Sequence, residues 1–133
     1  MEPGLILETT FLIDLEREAL RSSPATAHAL LERSADARLH VSIITAGELA
    51  AGPRLSRRGQ WERLLGRFEV LPLDREVAWR FGQTFRYLKE NGLLIGTNDL
   101  WIAATALLAE MPVVTRNEAH FRRVPGLKVI GYG

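Results

Sequence analysis

The chain has 133 residues, 47% of them hydrophobic and 25% charged, a composition typical of a globular domain with one core. Cysteine is absent from the sequence, which excludes disulfide bonds, a catalytic thiolate and a cysteine-ligated zinc site. No apolar segment is long enough to cross a bilayer, and the first residues lack the pattern of a signal peptide. We therefore expect a cytoplasmic protein without a membrane anchor.

The charge of the chain says little about its partner. The formal net charge is +1, and a value so close to zero does not by itself indicate a polyanion-binding protein. Of the 17 basic residues only Lys89 and Lys128 are lysines, so 17 − 2 = 15 are arginines. Arginine suits phosphate because its planar group donates two parallel hydrogen bonds. A compositional bias of the genome explains the excess equally well, and both explanations remain open.

Short apolar runs alternate with amphipathic segments along the whole chain. We predict strands at residues 5–7, 39–43, 70–71, 112–114 and 128–130. We predict helices at residues 9–21, 24–35, 44–51, 60–68, 74–89, 99–110 and 118–121. Thr9 or Thr10 would cap the first helix, and Pro24 would open the second. The alternation predicts an α/β fold with residues 1–133 in one domain, a parallel central sheet flanked by helices in three layers.

Acidic and amide side chains recur where these strands end or helices begin. Glu8 follows the first strand, Glu48 and Asp99 lie near helix starts, and Asn117 follows residues 112–114. In an α/β domain such positions converge on one rim of the sheet. Several carboxylates on one rim raise one another's pKa, and a hard divalent cation relieves that conflict. Oxygen ligands favour Mg²⁺ or Mn²⁺, so the pattern predicts a metal-dependent phosphoryl-transfer site.

Each of these positions also has a plainer structural interpretation. Thr45 and Glu48 fit a capping box, and Thr115 and Glu118 fit another. Asp99 would complement a helix N-terminus, which contributes roughly 0.3–1 kcal/mol.

Asn117 and Glu8 differ in how easily they fit such an explanation. Asn117 is a natural cap or turn residue. Glu8 is harder to explain in this way, because strand ends in a sheet core rarely carry an unpaired carboxylate.

Four segments together resemble a known family. Residues 5–14, 41–49, 95–106 and 112–121 resemble, in order and spacing, the four motifs of PIN domains. The similarity is specifically to the small VapC-type toxins of toxin–antitoxin pairs, and it covers essentially the whole chain. Two positions depart from the usual pattern: Glu8 stands where the family usually has aspartate, and Asn117 provides an amide in the fourth motif. The longer side chain of Glu8 predicts a slower reaction, because a carboxylate displaced by about 1 Å can cost ~10²-fold in rate. The uncharged amide of Asn117 predicts modest metal affinity.

The resemblance implies a mechanism for this chain. Glu8 and Asp99 would hold Mg²⁺ or Mn²⁺ directly or through water, and Glu48 would complete the cluster and orient a water molecule. Asn117 would act from the second coordination sphere. The implied reaction is the hydrolysis of RNA phosphodiester bonds, in tRNA or rRNA, that leaves a 5′-phosphate.

The resemblance also implies substrate contacts. Thr10 would contact phosphate or a metal-bound water, and Arg116 would contact the RNA backbone.

The resemblance further implies two protein partners. One is a VapB-type antitoxin whose C-terminal segment covers the acidic site, and the other is a second copy of the chain in a homodimer. Tryptophan is a typical interface residue, but we expect core packing for each of the three: Trp61, Trp79 and Trp101.

We compared three alternatives, of which the sequence disfavours the second and third. A PIN-like domain with a weakened site would bind RNA or a partner without cutting it, as Glu8 and Asn117 suggest. A phosphoacceptor receiver domain needs paired acids after the first strand and a lysine after the last, whereas Lys128 begins the last strand. A dinucleotide-binding fold needs a glycine-rich turn after the first strand, which this sequence lacks.

Overall fold

The computed structural model describes residues 4–21 and 25–133, and its centre is a five-stranded sheet. The strands are β1 (Gly4–Leu7), β2 (Arg38–Ser42), β3 (Glu69–Leu71), β4 (Val113–Val114) and β5 (Val129–Ile130). They lie in the order β3-β2-β1-β4-β5, and every adjacent pair is parallel. The predicted parallel sheet is confirmed.

The helices in these residues follow the predicted alternation with shifted ends. They are α1 (Thr9–Leu20), α2 (Thr26–Arg33), α3 (Ile43–Ala51), α4 (Arg58–Leu65), α5 (Arg75–Glu90), α6 (Thr97–Ala109) and α7 (Glu118–Phe121). A 3₁₀ turn at Pro53–Leu55 was not predicted. No helix among these residues is both long and apolar enough to cross a membrane.

The sheet separates two apolar layers, because side chains of a strand alternate between its faces. Leu5 and Leu7 of β1 pack with residues of α1, α2, α3 and α4, whereas Ile6 packs with residues of α5, α6 and α7. In β4, Val114 joins the first cluster and Val113 the second. This division confirms the three-layer arrangement of helices, sheet and helices.

Three helix caps differ from the predictions. Glu8, rather than Thr9 or Thr10, caps α1 and accepts from the Thr10 N–H. Ser42 caps α3 by accepting from the Ile44 N–H, so Thr45 is not part of a capping box. A cap requires extended backbone just before the first helical residue, and β2 ends at Ser42, one residue earlier than the sequence pattern indicates.

The predicted capping box of α7 is also wrong. Asn117 occupies the cap position, and its side chain makes no capping hydrogen bond. The Thr115 hydroxyl is instead buried and points to Glu8.

The start of α2 is stabilised from outside the helix. The predicted opening at Pro24 lies outside the described residues, and α2 begins at Thr26 with no cap from its own side chains. Glu18 of α1 accepts hydrogen bonds from the backbone N–H groups of Ala25, Ala27 and His28 and from the His28 ring. Burial alone would raise the pKa of Glu18, but these donors outweigh it and lower the pKa from 4.5 to about 2.

The tryptophans divide into two groups. Trp61 is partly buried and donates to the Ala46 carbonyl, and Trp101 stacks on Phe81 with ring centroids 3.9 Å apart. Trp79 is 68% exposed, so the prediction of core packing is wrong for it. The inner face of α5 carries Val77, Thr84 and Leu88, and Trp79 falls on its outer face.

Candidate active site

The candidate site lies at the topological switch point of the sheet, between β1 and β4. The chain passes from β1 to β2 on one side and from β4 to β5 on the other, so the connections after β1 and β4 diverge. Ligands of open α/β sheets bind at the carboxyl ends of strands at such a point. Glu8 follows β1 and Thr115 follows β4, and these two residues meet there.

Glu8 is 2% exposed, and its carboxylate is bonded within the protein. Its Oε1 accepts hydrogen bonds from the hydroxyls of Thr10 and Thr115, both at 2.6 Å. Its Oε2 accepts from the Thr10 N–H at 3.1 Å. A carboxylate oxygen has about two lone-pair sites. Oε1 is therefore saturated, and Oε2 keeps one site for another ligand.

The turn after β4 organises these hydroxyls. The Asn117 N–H donates to Thr115 Oγ1 at 2.9 Å, and the Arg116 N–H donates to Thr10 Oγ1 at 3.0 Å. Each hydroxyl thus accepts from the backbone and donates its proton to Glu8. The Asn117 side chain is exposed beside this turn.

Glu48 reaches the site from the last half of α3. Its Oε1 accepts a 2.6 Å hydrogen bond from the Thr9 hydroxyl, which lies 3.0 Å from that of Thr45. The Asn98 amide donates to Oε2 over a longer distance of 3.4 Å. Oε2 is consequently the oxygen of Glu48 that is more available to water or a cation.

Asp99 stands in the first turn of α6, with 22% of its side chain exposed. Burial raises the pKa of Asp99, and the charges of Glu8 and Glu48 raise it further. His120 opposes this shift, because its Nδ1 lies 3.8 Å from Asp99 Oδ2. Glu8 and Glu48 are therefore close enough to act on Asp99 electrostatically, and they make its ionised form less favourable.

The donor set fits a hard cation that keeps part of its water shell. Within residues 4–21 and 25–133, no three acidic or histidine side chains are close enough together to ligate one ion directly. Asp99 has the least engaged carboxylate, and Glu8 and Glu48 each offer one freer oxygen. Mg²⁺ commonly takes one or two carboxylates and retains several waters, which matches this arrangement.

The two predicted substrate contacts have partners inside the protein. The Thr10 proton is used by Glu8, so Thr10 supports the acid. Arg116 pairs with Asp14 at 2.8 Å while 51% of its side chain remains exposed.

Sequence reasoning missed a set of supporting residues. They are Thr9, Thr115, Asn98, His120 and Asp14. Their signal in the sequence is only that each lies within a few residues of a motif acid or of Asn117, and such spacing does not show where a hydroxyl points.

Comparison with known proteins agrees with this architecture. The PIN-domain family profile matches residues 5–127. Ribonuclease VapC1 of Methanocaldococcus jannaschii is 32% identical over 131 residues, which cover 96% of this chain and 88% of the relative.

Two solved structures are also similar. The VapBC-1 structure from nontypeable Haemophilus influenzae has a TM-score of 0.82 and 29% identity, covering 97% of this chain and 98% of that one. VapBC-5 from Mycobacterium tuberculosis, a member of the VapBC family of toxin–antitoxin systems, has a TM-score of 0.64 and 26% identity, covering 96% of each chain. The chain therefore belongs to the PIN-domain family and, within it, groups with the VapC-type ribonucleases.

Proposed function

We propose that this protein is a metal-dependent endoribonuclease that hydrolyses RNA and acts as the toxin of a toxin–antitoxin pair. The observation that carries the proposal is the proximity of three carboxylates at the switch point of the sheet, where Glu8 and Glu48 raise the pKa of Asp99. Such a cluster is costly without a cation and suits phosphodiester chemistry with one. The names of the VapC-type relatives support the same activity.

Asp99 and Glu8 are the proposed ligands of Mg²⁺ or Mn²⁺. Asp99 contributes its nearly unengaged carboxylate, and Glu8 contributes the remaining site on Oε2, either directly or through water. When bound, the cation supplies charge neutralisation at the scissile phosphate and lowers the pKa of water.

The other two predicted catalytic residues act on water. Glu48 Oε2 is positioned by the Thr9 bond to its partner oxygen and accepts a hydrogen bond from the attacking water. The exposed amide of Asn117 contacts water in the second coordination sphere.

Arg116 is the proposed contact to the RNA backbone. A guanidinium has five N–H donors, and the bond to Asp14 uses the donor on one terminal nitrogen. The remaining donors are available on a side chain that is half exposed. The bond to Asp14 fixes the orientation of Arg116, so less side-chain entropy is lost when phosphate binds. The RNA class we propose is tRNA or rRNA, encountered in the cytoplasm.

A cleft beside Glu48 is the proposed seat of an antitoxin segment. Its volume is about 180 Å³, and its lining is mostly apolar and includes two arginines. The residues concerned are Ile13, Leu49, Gly52, Pro53 and Leu55, with Arg17, Arg54, Glu16 and Glu48. An amphipathic segment with apolar and acidic side chains would fill this cleft and place its next residues over the acidic site.

The aromatic edge shared by α5 and α6 is the proposed homodimer surface. Phe81 stacks between Trp101 and Phe85, and Phe85 is 40% exposed. Exposed aromatic groups of this kind are typical of interface cores.

The test of the activity uses purified protein with tRNA and rRNA substrates. We expect cleavage with Mg²⁺ or Mn²⁺, none with EDTA, and 5′-phosphate ends when the products are sequenced. Cleavage that persists in EDTA, or products with 3′-phosphate ends, would contradict the proposal, because both indicate metal-free attack by the ribose hydroxyl.

One observation favours a second candidate, an RNA-binding or partner-binding protein that does not cut. Glu8 Oε1 is saturated by hydroxyls, which weakens its value as a metal ligand. RNA retention in a filter-binding assay without any products at millimolar Mn²⁺ would favour this alternative.

A further inference from the structure

The segment that follows β5 is bonded to the helix that follows β1. The Tyr132 hydroxyl donates to Asp14 Oδ2, and the Tyr132 ring meets Phe11 edge-on with centroids 5.0 Å apart. Burial raises the pKa of Tyr132, and so does the Asp14 carboxylate, which keeps the hydroxyl protonated as a donor. Tyr132 therefore holds one oxygen of Asp14 in place.

The other oxygen of Asp14 holds the turn after β4. Arg116 Nη1 donates to Asp14 Oδ1 at 2.8 Å, and the Asp14 side chain is only 16% exposed. At its backbone end, Arg116 donates through its N–H to Thr10 Oγ1. Arg116 is thus fixed at both ends, by Asp14 and by Thr10.

We propose that Asp14 and Tyr132 are positioning residues of the acidic site, which act through Arg116 to hold the turn at residues 115–117 against Glu8. The inference rests on the proposed nuclease function, since it assigns residues that support the same site. Neither Asp14 nor Tyr132 contacts Glu8, Glu48 or Asp99 among the hydrogen bonds of the described residues.

The physical reason lies in how Glu8 is oriented. Both of the hydroxyls that saturate Glu8 Oε1 accept from backbone groups of this turn, at Arg116 and Asn117. These two residues are themselves exposed, so burial does not immobilise them. The hydrogen bonds from Arg116 and Tyr132 to Asp14 restrain the turn instead. A carboxylate displaced by about 1 Å can cost ~10²-fold in rate, and loss of an outer support typically costs about 10–100-fold in metal affinity.

Tyr132→Phe tests the proposal, because it removes the hydroxyl and keeps the ring on Phe11. The matched control is Tyr87→Phe, at the only other tyrosine of the chain, which is 43% exposed on α5. We expect Tyr132→Phe to lower kcat about 10-fold with KM within about 2-fold. We also expect about 10-fold weaker Mn²⁺ binding by calorimetry without RNA.

A double-substitution cycle separates positioning from general destabilisation. Asp14→Asn should reproduce the effect, and the double variant should be no worse than either single one, because all three break the same chain of bonds. All variants are compared at a temperature where circular dichroism shows them folded.

Two outcomes distinguish a failure of the positioning role from a failure of the proposed nuclease function. If the wild type binds Mn²⁺ and cuts RNA while Tyr132→Phe matches Tyr87→Phe in both assays, or differs only in Tm, the positioning role is wrong and the nuclease function stands. If the wild type neither binds Mn²⁺ nor cuts RNA, the proposed function fails and the positioning role fails with it.

Discussion

Thr115 Oγ1 donates a 2.6 Å hydrogen bond to Glu8 Oε1 and so joins the residue after β4 to the residue after β1. Both side chains are buried, where a hydrogen bond to a charged group is strong and its loss leaves a costly unsatisfied oxygen. The orientation of Glu8 is therefore set by the neighbouring strand. Glu8 is constrained, and Asp99 is the acid that retains freedom to bind.

Asp99→Asn should abolish metal-dependent cleavage and leave the fold intact. The amide keeps the shape of the side chain but removes the charge that attracts the cation, so we expect a loss of about 10²-fold or more in kcat. Cleavage of tRNA and rRNA at millimolar Mg²⁺ or Mn²⁺ measures this. The exposed Asp36→Asn is the control, and undiminished cleavage by Asp99→Asn would remove Asp99 from the site.

The same substitution should stabilise the protein in the absence of divalent ions. Burial, Glu8 and Glu48 raise the pKa of Asp99 above 3.8, so the folded state binds its proton more tightly than the unfolded state. The ionised form consequently destabilises the fold at neutral pH, and this cost disappears as the pH falls below 3.8. In urea unfolding, the free energy of unfolding of Asp99→Asn should exceed that of the wild type at pH 7. At pH 3 the two proteins should be equally stable. Equal stability of the two proteins at pH 7 would contradict the electrostatic coupling.

Glu8→Asp should raise the activity, by up to ~10²-fold if the longer side chain misplaces the metal. Aspartate is also a good helix cap, so it keeps the Thr10 N–H bond while its shorter arm withdraws from the Thr115 hydroxyl. Initial rates at saturating Mn²⁺, and growth after induced expression, measure the change. Unchanged or lower activity would mean that the site, with the Thr10 and Thr115 hydroxyls bound to Glu8, is adapted to glutamate.

Glu18→Gln should destabilise the protein by about 1–2 kcal/mol at neutral pH, because a neutral amide is a weaker acceptor for the N–H groups that open α2. The pKa of Glu18 is lowered from 4.5 to about 2, so its contribution is complete above pH 4.5 and is lost as the pH falls toward 2. Urea unfolding at pH 7, 4 and 2.5 should show the difference between wild type and variant shrinking through that range. The control is Glu32→Gln on the exposed side of α2, and a pH-independent difference would contradict this account.

An antitoxin segment that carries arginine should compete with Mg²⁺. Glu8, Glu48 and Asp99 form an uncompensated negative site without a cation, and a guanidinium pairs with carboxylates through two hydrogen bonds. The affinity of such a peptide, titrated at constant ionic strength, should fall as Mg²⁺ rises. A peptide with citrulline in place of arginine serves as control. If the affinity does not change with the Mg²⁺ concentration, the peptide does not compete for these carboxylates. Inhibition would then result from occupation of the cleft beside Glu48, which would exclude RNA.

The strands and helices were largely predictable because their signals are local. The alternation of apolar runs and amphipathic segments requires only neighbouring residues, and α7 was predicted to the residue. The predicted ends of strands and helices were shifted where a capping residue sets the boundary, as Ser42 does for α3. The backbone conformation determines which hydroxyl can accept from the N–H groups of a helix N-terminus, and the sequence pattern does not show that conformation. The exposed position of Trp79 was missed for a different reason: hydrophobicity alone does not say which face of α5 meets α6.

The sequence by itself predicted that three acids would meet at one rim of the sheet, and the charges of Glu8 and Glu48 do act on Asp99 in the structure. Glu8 follows β1 and Asp99 lies in the first turn of α6, whereas Glu48 lies in the last half of α3. The tertiary structure decided which hydrogen bonds each of these carboxylates makes. Glu8 is saturated by hydroxyls that arrive from residues 10 and 115, and Glu48 is bonded to a threonine 39 residues away. A hydrogen bond depends on distances of a few tenths of an ångström between side chains on different elements. No spacing along the chain encodes such distances, so only the packed fold shows that Asp99 has the least engaged carboxylate of the three.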